Sequence, residues 1–287
     1  MPHTSALLLK NQEAFRLIET LLLWEGVARN ERVRELLGLH YVSTSRLLKQ
    51  YELLNSEGLS YSTIMRGYIA GSAFKPVCTT GRVEEYMAVL AKGSGHSDHV
   101  ARTHVDFGRV DRRTFSLLHR ASRERVAMTA KHRSMRHPEP VLKTFFPHAL
   151  VEAGRRWHVR AYVLLAGGSG AFQDLALTRL SSLELMDESR PEEAHPENDH
   201  AWSTVLDVRI VPHPLLTPEQ KQMIRMEYFN GTMARRLSVR AALLHYTLHE
   251  LRVAISPEKH RPPDYQLSVD DVSSIKQWLL PDLQQTG

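Results

Sequence analysis

The sequence predicts an α+β protein of three successive units, and three patterns carry that prediction. Near the N-terminus, three segments with one apolar helical face precede two short alternating stretches. In the middle, residues 155–162 read Arg-Arg-Trp-His-Val-Arg-Ala-Tyr, with basic and apolar side chains in alternation. After an acidic, proline-broken stretch, strand and helix patterns alternate again. The 287 residues suffice for two or three modest domains.

Residues 11–28 set Phe15, Ile18, Leu21 and Leu22 on one helical face. A second, shorter helix spans 31–37 with Val33, Leu36 and Leu37 inward. Gly38 ends it, since glycine accepts the left-handed backbone that follows many helix C-termini. A third helix runs from Tyr41 to Leu53, with Val42, Leu48 and Tyr51 facing the core. Its other face carries Ser43, Ser45, Arg46, Lys49 and Gln50. Residues 59–62 and 67–70 then alternate like two strands joined near Met65-Arg66. This order fits a winged helix-turn-helix, and it also fits any small helical domain with a hairpin. In the first case the hydroxyls, Arg46, Lys49 and Gln50 reach base edges and phosphates, beginning at Tyr41. Arg66 at the wing tip then reaches a phosphate or the minor groove.

In the central strand, Arg156, His158 and Arg160 alternate with Trp157, Val159 and Ala161. One face packs on a core, and the other is either a solvated outer face or a cationic surface for a phosphate or nucleic-acid ligand. The net charge of +5 is mild, so its placement matters more than its size. From Arg102 to Arg136 the chain is basic, interrupted only by Asp106, Asp111 and Glu124. From Glu184 to Asp199 it is acidic, with Arg190 as the sole base; Pro191 and Pro196 make it read as an interdomain linker. Lys92 to Ser97 reads as a second, flexible linker.

In the last unit, 205–210 alternates as a strand and Pro212-His213-Pro214 ends it. Thr217 caps a helix that has Pro218 at its first position. Residues 235–239 form a second strand, 241–253 a helix and 269–280 a last helix. The unit reads as a dimerisation or packing domain.

Several classes are disfavoured. One cysteine, Cys78, rules out an internal disulfide framework and a multi-cysteine zinc site, and points to a reducing cytoplasm. Cys78 itself reads as a small hydrophobe. No apolar run approaches the roughly 18 residues of a membrane span, and Leu7-Leu8-Leu9 is too short for a signal-peptide core. His96, Asp98, His99 and His104 lack the fixed spacing of a four-ligand metal shell, so no metal is expected. Gly168-Ser169-Gly170 reads as a β-turn and not a nucleophile elbow, and no Gly-Lys-Ser/Thr phosphate loop occurs. No cofactor and no catalytic residue is expected.

Residues 146–162, Phe-Pro-His-Ala-Leu-Val-Glu-Ala-Gly-Arg-Arg-Trp-His-Val-Arg-Ala-Tyr, resemble the WYL domain. Trp157-His158-Val159 stands at the triplet that names it, and Thr178-Arg179-Leu180 resembles its closing signature. Tyr61, Gly67-Tyr68, Phe74 and Pro76 resemble the wing of one subfamily. Residues 210–220, with Val239-Arg240-Ala241 and Tyr246, resemble that subfamily's C-terminal extension. The subfamily is the WYL-type transcriptional repressors found beside the bacterial anti-phage systems BREX and CBASS, and the resemblance covers nearly the whole chain.

The resemblance implies a winged helix over 1–78, a helical linker over 79–125, a small barrel-like WYL domain over 126–190 and a dimerisation domain over 203–287. It implies a cytoplasmic homodimer that binds an inverted-repeat operator in double-stranded DNA, with no membrane partner. A nucleotide or nucleic-acid effector at the WYL domain would release the operator. The pocket positions it implies are His132, Ser134, Lys143, His148, His158, Arg160, Gln173 and Arg179. His132 stands where the subfamily has tyrosine, and Gln173 where it has arginine; a neutral amide does not neutralise phosphate as guanidinium does. Two other readings stand beside this one. One is an accessory protein that binds single-stranded nucleic acid and modulates an enzyme. The other is a nucleic-acid-processing enzyme, which needs clustered carboxylates for a metal.

Overall fold

The structure, a computed structural model, describes residues 2–92, 110–135, 137–153, 156–165, 168–188 and 190–279. The histidines at 96–104, the linker beyond Lys92, Arg102, Arg109, Arg136, Arg155 and Leu280 lie outside the described residues. The chain divides near residue 104 into two compact units.

In the first unit, α1 (Pro2–Trp24) buries Phe15, Ile18 and Leu21 completely. The helix stops four residues earlier than periodicity suggests. Gly26 turns the chain at φ 73°, and β1 (Ala28–Arg29) pairs with the wing instead. Helix α2 (Asn30–Leu37) ends at Gly38, whose φ of 63° and N–H to Arg34 O form the expected left-handed cap. After three residues comes α3 (Tyr41–Leu54), which buries Thr44, Leu47, Leu48 and Tyr51. Val42 was expected inward and is exposed. It lies two residues before Thr44, about 200° round the helix from the buried stripe.

Strands β2 (Leu59–Ser62) and β3 (Gly67–Ala70) form the expected wing, and the sheet runs β1-β3-β2. A Cβ on Gly67 would sit 2.8 Å from the Ala28 carbonyl oxygen, so glycine is what lets β1 close on the wing. Helix α4 (Val83–Lys92) packs on α1. The buried Glu19 carboxylate ties the unit together. It accepts from Tyr51 Oη at 2.7 Å and from the backbone N–H of Val77, Cys78 and Thr79 at 2.7–2.8 Å. One carboxylate on α1 thus fixes α3 and the chain leaving the wing. Burial and the Glu19 charge push the Cys78 thiol up, as befits a packing residue and not a reactive thiolate.

The second unit opens with α5 (Arg112–Glu124), capped by Asp111. Strands β4 (Ala127–His132), β5 (Val141–Ala153), β6 (Arg156–Leu164), β7 (Gly170–Ala176) and β8 (Leu180–Met186) follow. They pair antiparallel in the order β7-β6-β5-β4-β8. The edge strands β7 and β8 are joined only by the 3-10 turn Leu177–Arg179. That link spans at most about 14 Å, so the sheet curls until its edges approach at that end. Its inner face packs Phe145, Val159, Ala161, Val163 and Leu175 with Leu118 and Ala121 of α5. The stretch 79–125 therefore gives one helix to each unit.

The other face is covered by the acidic stretch, which is not a free linker: Ala194 is buried with Ala127 and Phe146, and Asp199 is buried too. Helix α6 (His200–Ser203) leads into β9 (Val205–Pro212), α7 (Pro218–Tyr228), β10 (Arg235–Arg240), α8 (Leu244–Glu250), β11 (Val253–Ala254) and β12 (Leu267–Val269). The sheet order is β10-β9-β12-β11. Thr217 and Gln220 form a reciprocal capping box around Pro218. Two expected helices are corrected. The 241–253 segment holds a 3-10 turn and α8, and ends where Arg252 turns left-handed at φ 49° before β11. Of 269–280, Val269 closes β12 against Ile210, and only a 3-10 helix, Ser273–Trp278, follows. In both places pairing with a distant strand overrides local helical spacing.

Candidate nucleic-acid interface and effector site

In the first unit, the turn Gly38–His40 leads into α3. Tyr41, Val42, Ser43, Arg46 and Lys49 are exposed along it, and Ser45 and Gln50 are half-buried. Arg46 has no ion pair among the described residues, whereas Lys49 pairs with Glu52 one turn on. Asn30 of α2 holds the helix start, donating to Ser45 Oγ at 2.8 Å and to the Tyr41 carbonyl oxygen at 3.3 Å. At the wing tip Arg66 adopts φ 52°, Ile64 is 91% exposed, and Arg29 Nε holds the Met65 carbonyl oxygen at 2.9 Å. Asn30, Arg29 and the outward Val42 escaped sequence reasoning. An asparagine at a helix start reads as a cap, and its reach to Ser45 depends on the turn.

In the second unit the cationic strand is not a solvated face. His158 and Arg160 are each only 8% exposed. The Arg160 guanidinium grips Asp199 in a fork, Nε to Oδ2 at 2.8 Å and Nη2 to Oδ1 at 2.9 Å, and reaches Asp174 through Nη1 at 3.1 Å. His148 Nε2 lies 3.0 Å from Asp199 Oδ2. Its position follows from a bulge: the β5–β6 register shifts between Pro147 and Ala149, leaving His148 as the extra residue. Pro147 has no N–H for the ladder, a natural place for that shift. Burial alone would raise the Asp199 carboxyl. The hydrogen bonds from His148 and Arg160, with the Arg160 charge, outweigh it and hold the group at about 2. Tyr246 of α8 closes the network, donating to Asp174 Oδ2 at 3.1 Å and lying 5.1 Å from the His158 ring.

The expected pocket residues therefore separate. His148 and Arg160 come together on an internal carboxylate. His132 and Lys143 lie at one end of the β4–β5 ladder, and Arg179 in the turn at the same end. Burial, then the charges of Lys143 and Arg179, lower the His132 imidazole. His158 faces Tyr246. Ser134 shapes the β4–β5 turn, its Oγ accepting from the His137 N–H at 3.0 Å. Gln173 pairs with Ala161, a residue of the inner core, so it leaves β7 on the face opposite Phe172 and Asp174, away from His158 and Arg160. Asp174, Asp199 and Tyr246 were missed. Nothing in their local spacing distinguishes them from surface acids and helix aromatics. Among the described residues no cluster of three or more His, Cys, Asp or Glu could hold a metal, and no helix is long and apolar enough to cross a membrane.

An exposed basic helix beside a hairpin, joined to a curled sheet and a separate α/β domain, defines a winged-helix transcriptional regulator. Comparison with known families agrees. Residues 10–92 match the BrxR transcriptional regulator winged helix-turn-helix domain, and residues 205–275 match the BrxR transcriptional regulator C-terminal dimerization domain. The DNA-binding transcriptional repressor CapW of Pseudomonas aeruginosa is 30% identical over 270 residues, 90% of this chain and 88% of the relative. CapW of Stenotrophomonas maltophilia is 28% identical over 276 residues, 92% and 91% of the two chains. The chain belongs to this CapW family of DNA-binding transcriptional repressors. Among solved structures, proteasome accessory factor B/C of Arthrobacter aurescens matches 72% of this chain and 31% of its own at 15% identity, with a TM-score of 0.28.

Proposed function

We propose that the protein is a cytoplasmic homodimer that binds an inverted-repeat operator upstream of phage-defence genes and leaves it when an effector binds the central sheet. The observation that carries the DNA half is the exposed face of α3, with Arg46 unpaired among the described residues and Arg66 raised on the wing. Tyr41, Ser43, Ser45, Arg46, Lys49 and Gln50 enter the major groove, with Val42 against a thymine methyl, and Arg66 meets the flanking backbone. Two-fold symmetry through the C-terminal domain sets the spacing of the half-sites. Support for phage-defence control is the resemblance to repressors found beside BREX and CBASS.

For the effector half, a nucleotide or nucleic-acid ligand contacts the basic end of the sheet at His132, Lys143 and Arg179, with His158 beside it. Arg160 and His148 act through Asp199, which links the sheet to the segment entering the dimerisation domain. The test is footprinting of the full chain on its own upstream promoter, with and without nucleotides. A protected inverted repeat that Arg46→Ala abolishes supports the reading. Protection that survives Arg46→Ala and Arg66→Ala together removes the DNA half. Protection that no nucleotide or oligonucleotide relieves removes the effector half.

A further inference from the structure

Outside the Asp199 network, β6 and α8 enclose an open cleft of 690 Å³. One wall is Arg156 and His158 of β6. The other is His245 and His249, one turn apart on α8 with ring centroids 6.2 Å apart, and Arg252 just beyond the helix. Arg156 has no ion pair among the described residues. The pair Arg252 makes, with Asp264, is stretched to 4.0 Å between two largely exposed groups. The single acid lining the cleft is Glu250. His158 adds a further detail: it is more than nine-tenths buried, and its Nδ1 has no hydrogen-bond partner among the described residues. A buried ring nitrogen without a partner is costly to leave unmet.

We infer that this cleft is a phosphoryl-binding site, in which Arg156 and Arg252 hold the anion and the His158 ring turns to bring its sealed Nδ1–H onto one of the anion's oxygens. The inference rests on the reading of the central sheet as the sensor and names the chemistry it takes. Guanidinium forks suit phosphate oxygens, and the cleft is wide enough to admit a base or sugar next to Tyr246. The site joins a strand of the sheet to a helix of the dimerisation domain, so an occupant draws on both.

The histidines add a pH dependence. Burial lowers His158, as do Arg156 and Arg179, while Asp174 opposes them; burial and His249 lower His245. Both are therefore neutral at pH 7, and an anion favours their charged forms. With Arg252 and Glu250 fixed in charge, affinity for a phosphodiester, whose charge is constant in this range, rises as pH falls below the ordinary histidine value; a phosphomonoester loses its second charge at about pH 6 and shows less of that rise.

The test is calorimetric titration of the full chain and its variants with inorganic phosphate, adenosine 5′-monophosphate and an unphosphorylated thymidine hexanucleotide. The mononucleotide reports a terminal phosphomonoester and the hexanucleotide an internal phosphodiester. Arg156→Ala and Arg252→Ala lie at exposed positions and leave the fold intact; each is expected to weaken binding about tenfold, and His158→Phe similarly. Arg123→Ala, at an exposed position on α5 outside the cleft, leaves cleft binding unchanged. Binding that Lys143→Ala or Arg179→Ala removes, and that both cleft arginine variants keep, overturns the cleft and leaves the sensor reading standing. No binding of any probe at millimolar concentration overturns the cleft itself, including the case in which a second copy of the chain covers it; the footprinting test then still decides the sensor reading.

Discussion

Replacing Asp199 with asparagine tests the network that turns the cationic strand into a structural joint. The side chain keeps its volume, and its carbonyl oxygen still caps α6 through the Trp202 N–H. What disappears is the charge between Arg160 and His148. Folding lowers the Asp199 carboxyl from 3.8 to about 2. At about 1.4 kcal/mol per unit, that shift is worth roughly 2–3 kcal/mol at pH 7. The folded value lies below the unfolded one, so the stabilisation is complete well above 3.8 and drains away as pH falls towards 2. By linkage roughly half of it remains at pH 3. For a unit of this size each kcal/mol moves the melting temperature by roughly 2–4 °C, so Asp199→Asn should lower it by about 5–10 °C at pH 7 and about half that at pH 3. Thermal melts followed by circular dichroism at the two pH values read this directly. A drop of the same size at both, or of under about 2 °C at pH 7, would refute the argument. Arg160→Ala strands Asp199 and Asp174 and should cost about 3–5 kcal/mol. The double variant should lose less than the sum, because the two side chains share one interaction.

Arg46→Ala should weaken operator binding and reduce the slope of affinity against salt by about one unit per phosphate contact removed; an unchanged slope in gel-shift titrations places Arg46 off the backbone. Glu19→Gln puts an amide NH2 where one carboxylate oxygen accepted two bonds, facing either the N–H groups of Cys78 and Thr79 or Tyr51 Oη and the Val77 N–H, and should cost about 2 kcal/mol or more; an unchanged denaturation midpoint shows that water or another acceptor replaces the carboxylate. Met223, Met226 and Met233 are exposed large apolar side chains on the dimerisation domain. Met226→Asp should shift the protein towards monomer in sedimentation at micromolar concentration, and a fully dimeric variant moves the seam elsewhere.

Much of the fold is legible because it is local. The stripe Phe15, Ile18, Leu21, the glycine after α2, the Thr217 box and the β2–β3 hairpin each depend on residues a few positions apart. The exposed polar face of α3 follows from the same periodicity, with Val42 misplaced because one apolar residue at a helix start does not fix the phase. The two failed helices of the C-terminal domain show the limit: Val253 and Val269 belong to strands whose partners lie elsewhere in the chain.

The alternation in β6 by itself determined that one face is a core and that His158 and Arg160 share the other. Whether that face meets solvent, a ligand or the protein itself was decided only by the tertiary structure. Asp199 reaches Arg160 across 39 residues and His148 across 51, and Tyr246 reaches Asp174 across 72. Backbone periodicity encodes which way a side chain points, because each residue constrains only its neighbours. It does not encode which distant carboxylate arrives to neutralise it. That depends on the curl of the sheet and on the path of the acidic segment over it, which left Arg160 sealed and His158 Nδ1 without a partner among the described residues.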